Sequence, residues 1–152
     1  MRFLLFLIAT LASGHAYAAN NVTLSSMVLL ERTMTDSAGR NRVVLEEPKT
    51  VTPGDRLVFI LAYRNAGHIP ASDFIVTNPL PAAVAFQGNA DGAQVSIDGG
   101  KSWGALTRLR IHEADGHWRN ARPEDVTHLR WALKQAIPAG AEGKLSFRGV
   151  VR

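Results

Sequence analysis

The chain has 152 residues, of which 46% are hydrophobic and 20% are charged, a balance typical of one folded globular domain rather than of a disordered chain. It contains no cysteine, which excludes disulfide bonds, thiol nucleophiles, iron–sulfur clusters, cysteine-ligated zinc and a lipid anchor on an N-terminal cysteine. The formal net charge is +4, and from so small an excess of basic residues we expect no nucleic-acid partner.

The amino terminus has the three parts of a secretory signal peptide. Arg2 supplies a positive charge, residues 3–12 form a short apolar run, and Ala16-Tyr17-Ala18 is a small-x-small cleavage site. The apolar run is too short to span a bilayer. We therefore predict a signal peptide over residues 1–18, one domain over residues 19–152, and export to the bacterial periplasm or the cell exterior, with no membrane span after cleavage. An uncleaved N-terminal anchor is the alternative.

The first half of the exported chain alternates apolar and polar residues with the period of a β-strand. The pattern does not decide whether the first strand is broken near Ser25 and Ser26. A turn over residues 53–55 (PGD) precedes the third strand. This third strand carries apolar side chains on both faces, so we expect it in the middle of a packed sheet. The three strands are predicted over residues 22–34, 42–45 and 56–64.

The second half continues with shorter strands between turns that contain glycine or proline. Residues 113–125 are polar, include Gly116 and Pro123, and are predicted to form an excursion loop. Strands do not alternate with helices, which argues against a parallel nucleotide-binding sheet. The pattern predicts an all-β fold, an antiparallel β-sandwich of about seven to nine strands. The remaining strands are predicted over residues 72–77, 83–87, 95–97, 105–111, 127–134 and 144–152.

The sharpest local motif is SIDGGKSW over residues 96–103, which resembles the Asp-box pattern S-x-D-x-G-x-[ST]-W at every fixed position. We predict a structural hairpin in which the aspartate accepts hydrogen bonds from its own turn, the glycines adopt positive φ and the tryptophan folds back as an apolar plug. Asp-boxes are familiar from the blades of sialidase-like propellers, but one copy cannot build a propeller. The hairpin residues are Ser96, Asp98, Gly100, Ser102 and Trp103.

Tryptophan and arginine residues of the second half supply candidate ligand contacts. An indole ring can stack on a sugar, and a guanidinium group can pair with an anionic glycan or a lipid headgroup. Alternatively, the arginines lie on solvated strand faces and pair with acidic neighbours. The candidate contacts are Trp103, Trp118 and Arg119.

Partial metal motifs occur in two loops. His112 and Glu113 begin an H-E-x-x-H zinc motif, but Gly116 stands where the second histidine is required. A looser metal site made by His112, Glu113, Asp115 and His117 competes with the interpretation of this segment as a solvated loop. Residues 89–92 resemble a fragment of a calcium loop, but they lack its leading and closing carboxylates. We predict no metal ligand and no cofactor.

Two further signals concern catalysis and covalent crosslinking. Residues 100–102 (GKS) end like a phosphate loop, but Val95 replaces the first glycine of that motif. No pattern brings together a nucleophile, a base and oxyanion donors. An isopeptide crosslink between lysine and asparagine is a separate alternative, for which the lysines are Lys49, Lys101, Lys134 and Lys144.

Turn motifs along the chain resemble those of the conserved-repeat family of bacterial surface proteins called domain of unknown function eleven. The resemblance covers about residues 22–152 and rests on VTPGD (51–55), NAG (65–67), FIVTNPLP (74–81) and IPAG (137–140). It implies an immunoglobulin-like β-sandwich without known catalysis, and it supplies no active-site residues. Asn78 stands where the family often has aspartate, and the chain holds one copy rather than tandem repeats.

Together these observations predict an exported, non-enzymatic structural or binding module of the bacterial cell envelope. Its partner is expected to be an envelope protein that binds at an exposed strand edge or at the loops. The alternative function is a carbohydrate-binding module that stacks a surface glycan on Trp103 and Trp118. A third hypothesis is a hydrolase or metal enzyme built on residues 113–125.

Overall fold

The computed structural model describes residues 21–88 and 90–152, so the predicted signal peptide lies outside the described residues. Within them the regular structure consists of ten β-strands and two short 3₁₀ turns, without an α-helix. The all-β prediction is therefore confirmed. The strands are β1 (Val22–Thr35), β2 (Asn41–Glu46), β3 (Arg56–Asn65), β4 (Ile75–Pro79), β5 (Val84–Phe86), β6 (Gln94–Ser96), β7 (Arg110–His112), β8 (Trp118–Asn120), β9 (His128–Ala132) and β10 (Glu142–Val151).

The strands form three open antiparallel sheets. The first sheet has five strands in the order β2-β1-β3-β10-β5, the second has three in the order β4-β9-β6, and β7 pairs with β8 as a separate hairpin. One apolar core contains buried side chains from both larger sheets, so these two sheets pack on each other in a sandwich-like arrangement. The antiparallel pairing is as predicted.

The predicted position of the third strand is also confirmed. β3 lies between β1 and β10 in the five-stranded sheet, and Leu57, Val58 and Phe59 are all buried. Phe59 stacks on Phe147 of β10, with ring centroids 4.4 Å apart and ring planes 3° from parallel. The indole of Trp131 in the second sheet approaches Phe147 at 6.2 Å. These rings join the two layers at the centre of the core.

Three predicted boundaries differ from the structure. β1 runs unbroken through Ser25 and Ser26, because both residues pair with β3. The strand predicted over residues 105–111 begins instead with the 3₁₀ turn Leu106–Arg108, whose spacing directs two half-buried leucines, three residues apart, towards the core. The loop predicted over residues 113–125 contains β8 and the 3₁₀ turn Pro123–Asp125. The strand count is therefore ten, above the expected seven to nine.

Candidate functional site

The Asp-box-like segment forms a hairpin turn around the carboxylate of Asp98. Oδ1 accepts hydrogen bonds from the amide groups of Lys101 and Ser102, each at 3.0 Å, and Oδ2 accepts one from the Ser102 hydroxyl at 2.5 Å. The Ser96 hydroxyl donates to Asp98 Oδ1 at 2.7 Å and accepts from the Gly100 amide at 2.9 Å. Gly100 has a φ of +88°, a conformation that side-chain-bearing residues rarely adopt.

This network sets the ionisation of the aspartate. The pKa of Asp98 is strongly lowered from its ordinary value of 3.8, first by the hydroxyl and amide groups of Ser102 and then by Ser96 and Lys101. All of these groups donate to the ionised form, which they stabilise against protonation. The carboxylate therefore acts as a fixed acceptor at the centre of the turn, and a general acid would need the opposite shift.

Trp103 is half-buried, and its indole lies against the turn, where a Cβ atom at Gly100 would be 3.5 Å from Trp103 Cζ2. The guanidinium carbon of Arg130 lies over the indole ring at 4.4 Å from its centroid, and the ring of His128 meets it edge-on at 6.3 Å. Arg130 also donates to the side-chain oxygen of Gln94 at 2.7 Å. One face of the indole is therefore covered by a cation from within the chain, which leaves less of Trp103 for a ligand.

Trp118 is the most exposed of the candidate contacts, with 58% of its surface accessible. It lies on β8 directly opposite His112 of β7, and the two rings are 4.8 Å apart. The guanidinium group of Arg110, on the same face of the hairpin, is 5.8 Å from the indole centroid. This exposed face of the β7–β8 hairpin thus combines an aromatic platform with a cation.

Arg119 is held on the opposite face of the same hairpin by acidic neighbours. Its Nε donates to Glu113 at 2.6 Å, and its Nη1 and Nη2 atoms donate to the two carboxylate oxygens of Asp125 at 2.6 and 2.8 Å. This bidentate pair raises the pKa of the guanidinium group and lowers the pKa of Asp125. The arrangement favours a structural role for Arg119, which ties β8 to the turn at Pro123–Asp125.

The remaining metal and crosslinking candidates are dispersed or solvated. Across residues 21–88 and 90–152, no group of three or more histidine, aspartate and glutamate side chains could hold a metal ion. Asp115 instead accepts a hydrogen bond from the His117 amide at 3.0 Å. In the calcium-like segment Asn89 lies outside the described residues. Lys49, Lys101, Lys134 and Lys144 are all exposed, whereas a neutral, nucleophilic amine requires burial.

The outer face of the large sheet carries an open groove of about 640 Å³, lined by Glu31, Arg56 and Arg148 among other residues. The Glu31 carboxylate accepts a hydrogen bond from Arg148 Nε at 3.0 Å and lies 3.8 Å from Arg56 Nη1. Its oxygens face two cations rather than a nucleophile that they could deprotonate. The groove therefore shows an ion-pair cluster of a kind common on sheet faces.

An open sheet edge is the feature that the residue-by-residue predictions missed. β1 pairs with β3 from Val22 to Glu31 but with β2 only from Leu30 to Thr35. Residues 22–29 therefore have a strand on one side only, within the described part of the chain. This notch in the sheet edge, called the β1 edge below, is about 27 Å long at the usual rise of an antiparallel strand.

The register identifies which backbone groups the β1 edge presents. The amide of Ala66 donates to the carbonyl of Asn21 at 2.8 Å, so the odd-numbered residues of β1 bond to β3. In an antiparallel ladder the intervening residues direct both N–H and C=O to the other side. The outward groups belong to Val22, Leu24, Ser26 and Val28, and no other described backbone group meets them.

The side chains of the β1 edge do not protect it. Residues 22–29 (VTLSSMVL) include neither a charge nor a proline, the devices that usually prevent edge strands from pairing. Leu24 and Met27 are 49% and 53% exposed. The sequence signal for this edge is the absence of charge and proline over residues 22–29; the length of β1 that β2 leaves uncovered follows from strand pairing.

Three other sheet edges carry a charge or a proline. β5 pairs only with the end of β10, and the part of β10 that β5 leaves uncovered carries the charged residues Glu142 and Lys144. β4, at the edge of the second sheet, ends in Pro79, which has no N–H to donate. β2 is short and carries Arg42 and Glu46. β5 and β6, at the remaining edges of these two sheets, are also uncharged but have only three residues each, so the β1 edge is the longest unprotected edge among the described residues.

Two further findings concern membrane-spanning helices and similarity to known proteins. In residues 21–88 and 90–152 no helix has the length and hydrophobicity that crossing a membrane would require. The chain matches no protein-family model, no curated protein and no solved structure. The resemblance to the conserved-repeat family therefore rests on the turn motifs alone.

Proposed function

We propose that the chain is an exported, non-enzymatic binding module of the bacterial cell envelope that recognises a protein partner by accepting a β-strand at the β1 edge. The observation that carries the proposal is an eight-residue, uncharged strand edge whose backbone donors and acceptors meet no second strand among residues 21–88 and 90–152. An extended segment laid against it gains main-chain hydrogen bonds, and side-chain positions on alternate faces provide specificity.

Three further features support this function. The signal-peptide pattern indicates export, and the sandwich-like packing is compatible with the immunoglobulin-like fold that the turn motifs imply. The acidic side chains that were considered for chemistry lie in structural networks: Asp98 organises a turn, and Glu31, Glu113 and Asp125 pair with arginines. A strand-accepting role needs a packed scaffold and an exposed edge, and the described residues supply an apolar core and the β1 edge.

Site-specific photo-crosslinking tests the proposal in the cell envelope. A photoreactive amino acid at Ser26 places the reactive group on the β1 edge, and the matched control at Met34 lies on the same face of the same strand, where β2 covers it. We expect a polypeptide adduct from position 26 and none from position 34. Introduction of Ser25→Lys should abolish the adduct, because a charge on an edge strand opposes pairing. Equal labelling of both positions, or of neither, would refute strand addition.

A second candidate function is glycan binding on the exposed face of the β7–β8 hairpin. The observation that favours it is the 58% exposure of Trp118 beside the cationic Arg110, a combination suited to an acidic sugar. Binding of the wild-type protein to a glycan array, lost in Trp118→Ala and retained in Trp103→Ala, would support it. Equal glycan binding by the wild-type protein and Trp118→Ala would exclude this platform.

A further inference from the structure

We infer that the strand accepted at the β1 edge is the β1 edge of a second copy of this chain, paired antiparallel so that Ser25 lies opposite Ser25. This inference rests on the proposed function and names its partner. The resulting dimer has a two-fold axis at Ser25, and the five-stranded sheets of the two copies become continuous.

The register follows from which backbone groups are free. Only even-numbered residues of the β1 edge direct N–H and C=O outward, so an antiparallel copy must place even residues opposite even residues. Pairing Val22 with Val28, and Leu24 with Ser26, satisfies all four outward residues on both copies. A shift of two residues towards Thr35 would set Val22 against Leu30, whose groups already pair with Glu46 of β2.

The side chains tolerate this self-pairing. Residues 22–29 are uncharged, so the meeting of two identical strands creates no like-charge pair within the ladder. On the outer face Met27 of each copy lies opposite Thr23 of the other and covers apolar surface that is 53% exposed in the single chain. Two copies that are both net positive can therefore meet along their neutral segment.

Preorganisation favours a copy over an unrelated extended peptide. The β1 edge is held as a strand by ten consecutive residue pairs with β3, so little conformational entropy is lost when two such edges join. A disordered donor peptide would lose the entropy of every residue that it orders. If the side chains of both partners fit equally well, the prefolded strand of a second copy binds more tightly than a disordered peptide.

A single cysteine tests the register. Ser25 would form a non-hydrogen-bonded pair with its symmetry mate at a Cα separation of about 4.5 Å, within the range that a disulfide spans. The chain has no native cysteine, so Ser25→Cys introduces the only thiol. We expect protein exported with its own leader to form disulfide-linked dimers with Ser25→Cys but to remain monomeric with Thr33→Cys, the matched exposed position on the covered half of β1.

Light scattering of the wild-type protein provides the second measurement. We expect a dimer that Ser25→Lys converts to a monomer with an unchanged circular dichroism spectrum, while Thr33→Lys leaves it dimeric. A monomeric wild-type protein at high concentration, or equal crosslinking of both cysteine variants, would overturn the self-pairing.

If the photo-adduct at Ser26 then contains a different polypeptide, strand addition stands and only the identity of the partner is wrong. Absence of any adduct removes both proposals.

Discussion

The side-chain amide of Asn65 donates a hydrogen bond to the carbonyl oxygen of Ile137 at 2.9 Å, across 72 residues of chain. The same nitrogen donates to the carbonyl of Ile69 at 2.8 Å, and the side-chain oxygen accepts from the Gly67 amide at 3.0 Å. The amide of Gly140 returns a bond to the Asn65 carbonyl. Two of the turn motifs noted in the sequence, NAG and IPAG, are thus joined by one buried side chain.

We expect Asn65→Ala to lower the free energy of unfolding by about 3 kcal/mol, because buried carbonyl groups lose their donor. Asn65→Asp should be at least as destabilising at pH 7, since its carboxylate would face two carbonyl oxygens while Asn65 is only 1% exposed. Urea denaturation of both variants measures the effects. If Asn65→Asp proved more stable than Asn65→Ala, the amide would not act as the donor described above.

Gly149 and Gly143 of β10 form a matched pair for a packing test. A Cβ atom at Gly149 would overlap Val84 Cγ1 and lie 3.2 Å from the Ala85 carbonyl oxygen, whereas one at Gly143 would overlap only the outer end of the Tyr63 ring. The half-buried Tyr63 side chain can rotate away from a Cβ atom at Gly143, whereas a Cβ atom at Gly149 would require the whole β5 strand to move. We expect Gly149→Ala to cost about 1–3 kcal/mol in thermal or urea unfolding, and Gly143→Ala to cost less. Equal losses would contradict this difference.

The pH dependence of Asp98 follows from the direction of its pKa shift. The pKa lies below the ordinary 3.8, so the ionised carboxylate stabilises the folded state above that value, and the contribution is lost as the pH falls through the lower, folded-state pKa. We expect Asp98→Asn to melt at a lower temperature than wild type at pH 7, and the gap to narrow only below about pH 4. Thermal unfolding at several pH values measures it; a gap independent of pH would contradict the role of the charge.

Strand positions can be predicted from the sequence where side chains alternate strongly, but short strands and the edges of sheets cannot. β3 and β10 carry apolar residues whose period alone places them on a core face. β8 is only three residues long, and its hairpin is held by the ion pairs of Arg119 with Glu113 and Asp125. A three-residue strand is too short to show a periodicity, and a polar segment that contains Gly116 and Pro123 predicts a loop.

The candidate binding surface depends on strand pairing in the same way. The Asp-box-like turn is visible as a motif because the hydrogen bonds of Asp98 join residues at most four positions apart. The β1 edge exists because β2 stops opposite Leu30, a relation between two strands rather than a property of either. Local composition contributed only the lack of charge in residues 22–29, which becomes informative once the pairing is known.

Two proline substitutions separate the binding role of the β1 edge from its structural role. The N–H of Ser26 points outward, so Ser26→Pro removes a free donor and leaves the ladder with β3 intact; edge strands tolerate proline at such positions. The N–H of Met27 bonds to Ile60, so Met27→Pro breaks that ladder. We expect Ser26→Pro to unfold within about 1 kcal/mol of wild type and Met27→Pro to lose about 1–3 kcal/mol.

Partner binding and folding stability should respond differently to Ser26→Pro. Ser26→Pro is expected to abolish dimerisation in light scattering and the photo-adduct at a neighbouring edge position such as Leu24, although its fold is retained. If Ser26→Pro kept full binding, the outward N–H groups would not be the recognition element. If it unfolded as readily as Met27→Pro, the alternation that assigns Ser26 to the open side of β1 would be wrong, and the binding edge would have to be sought elsewhere.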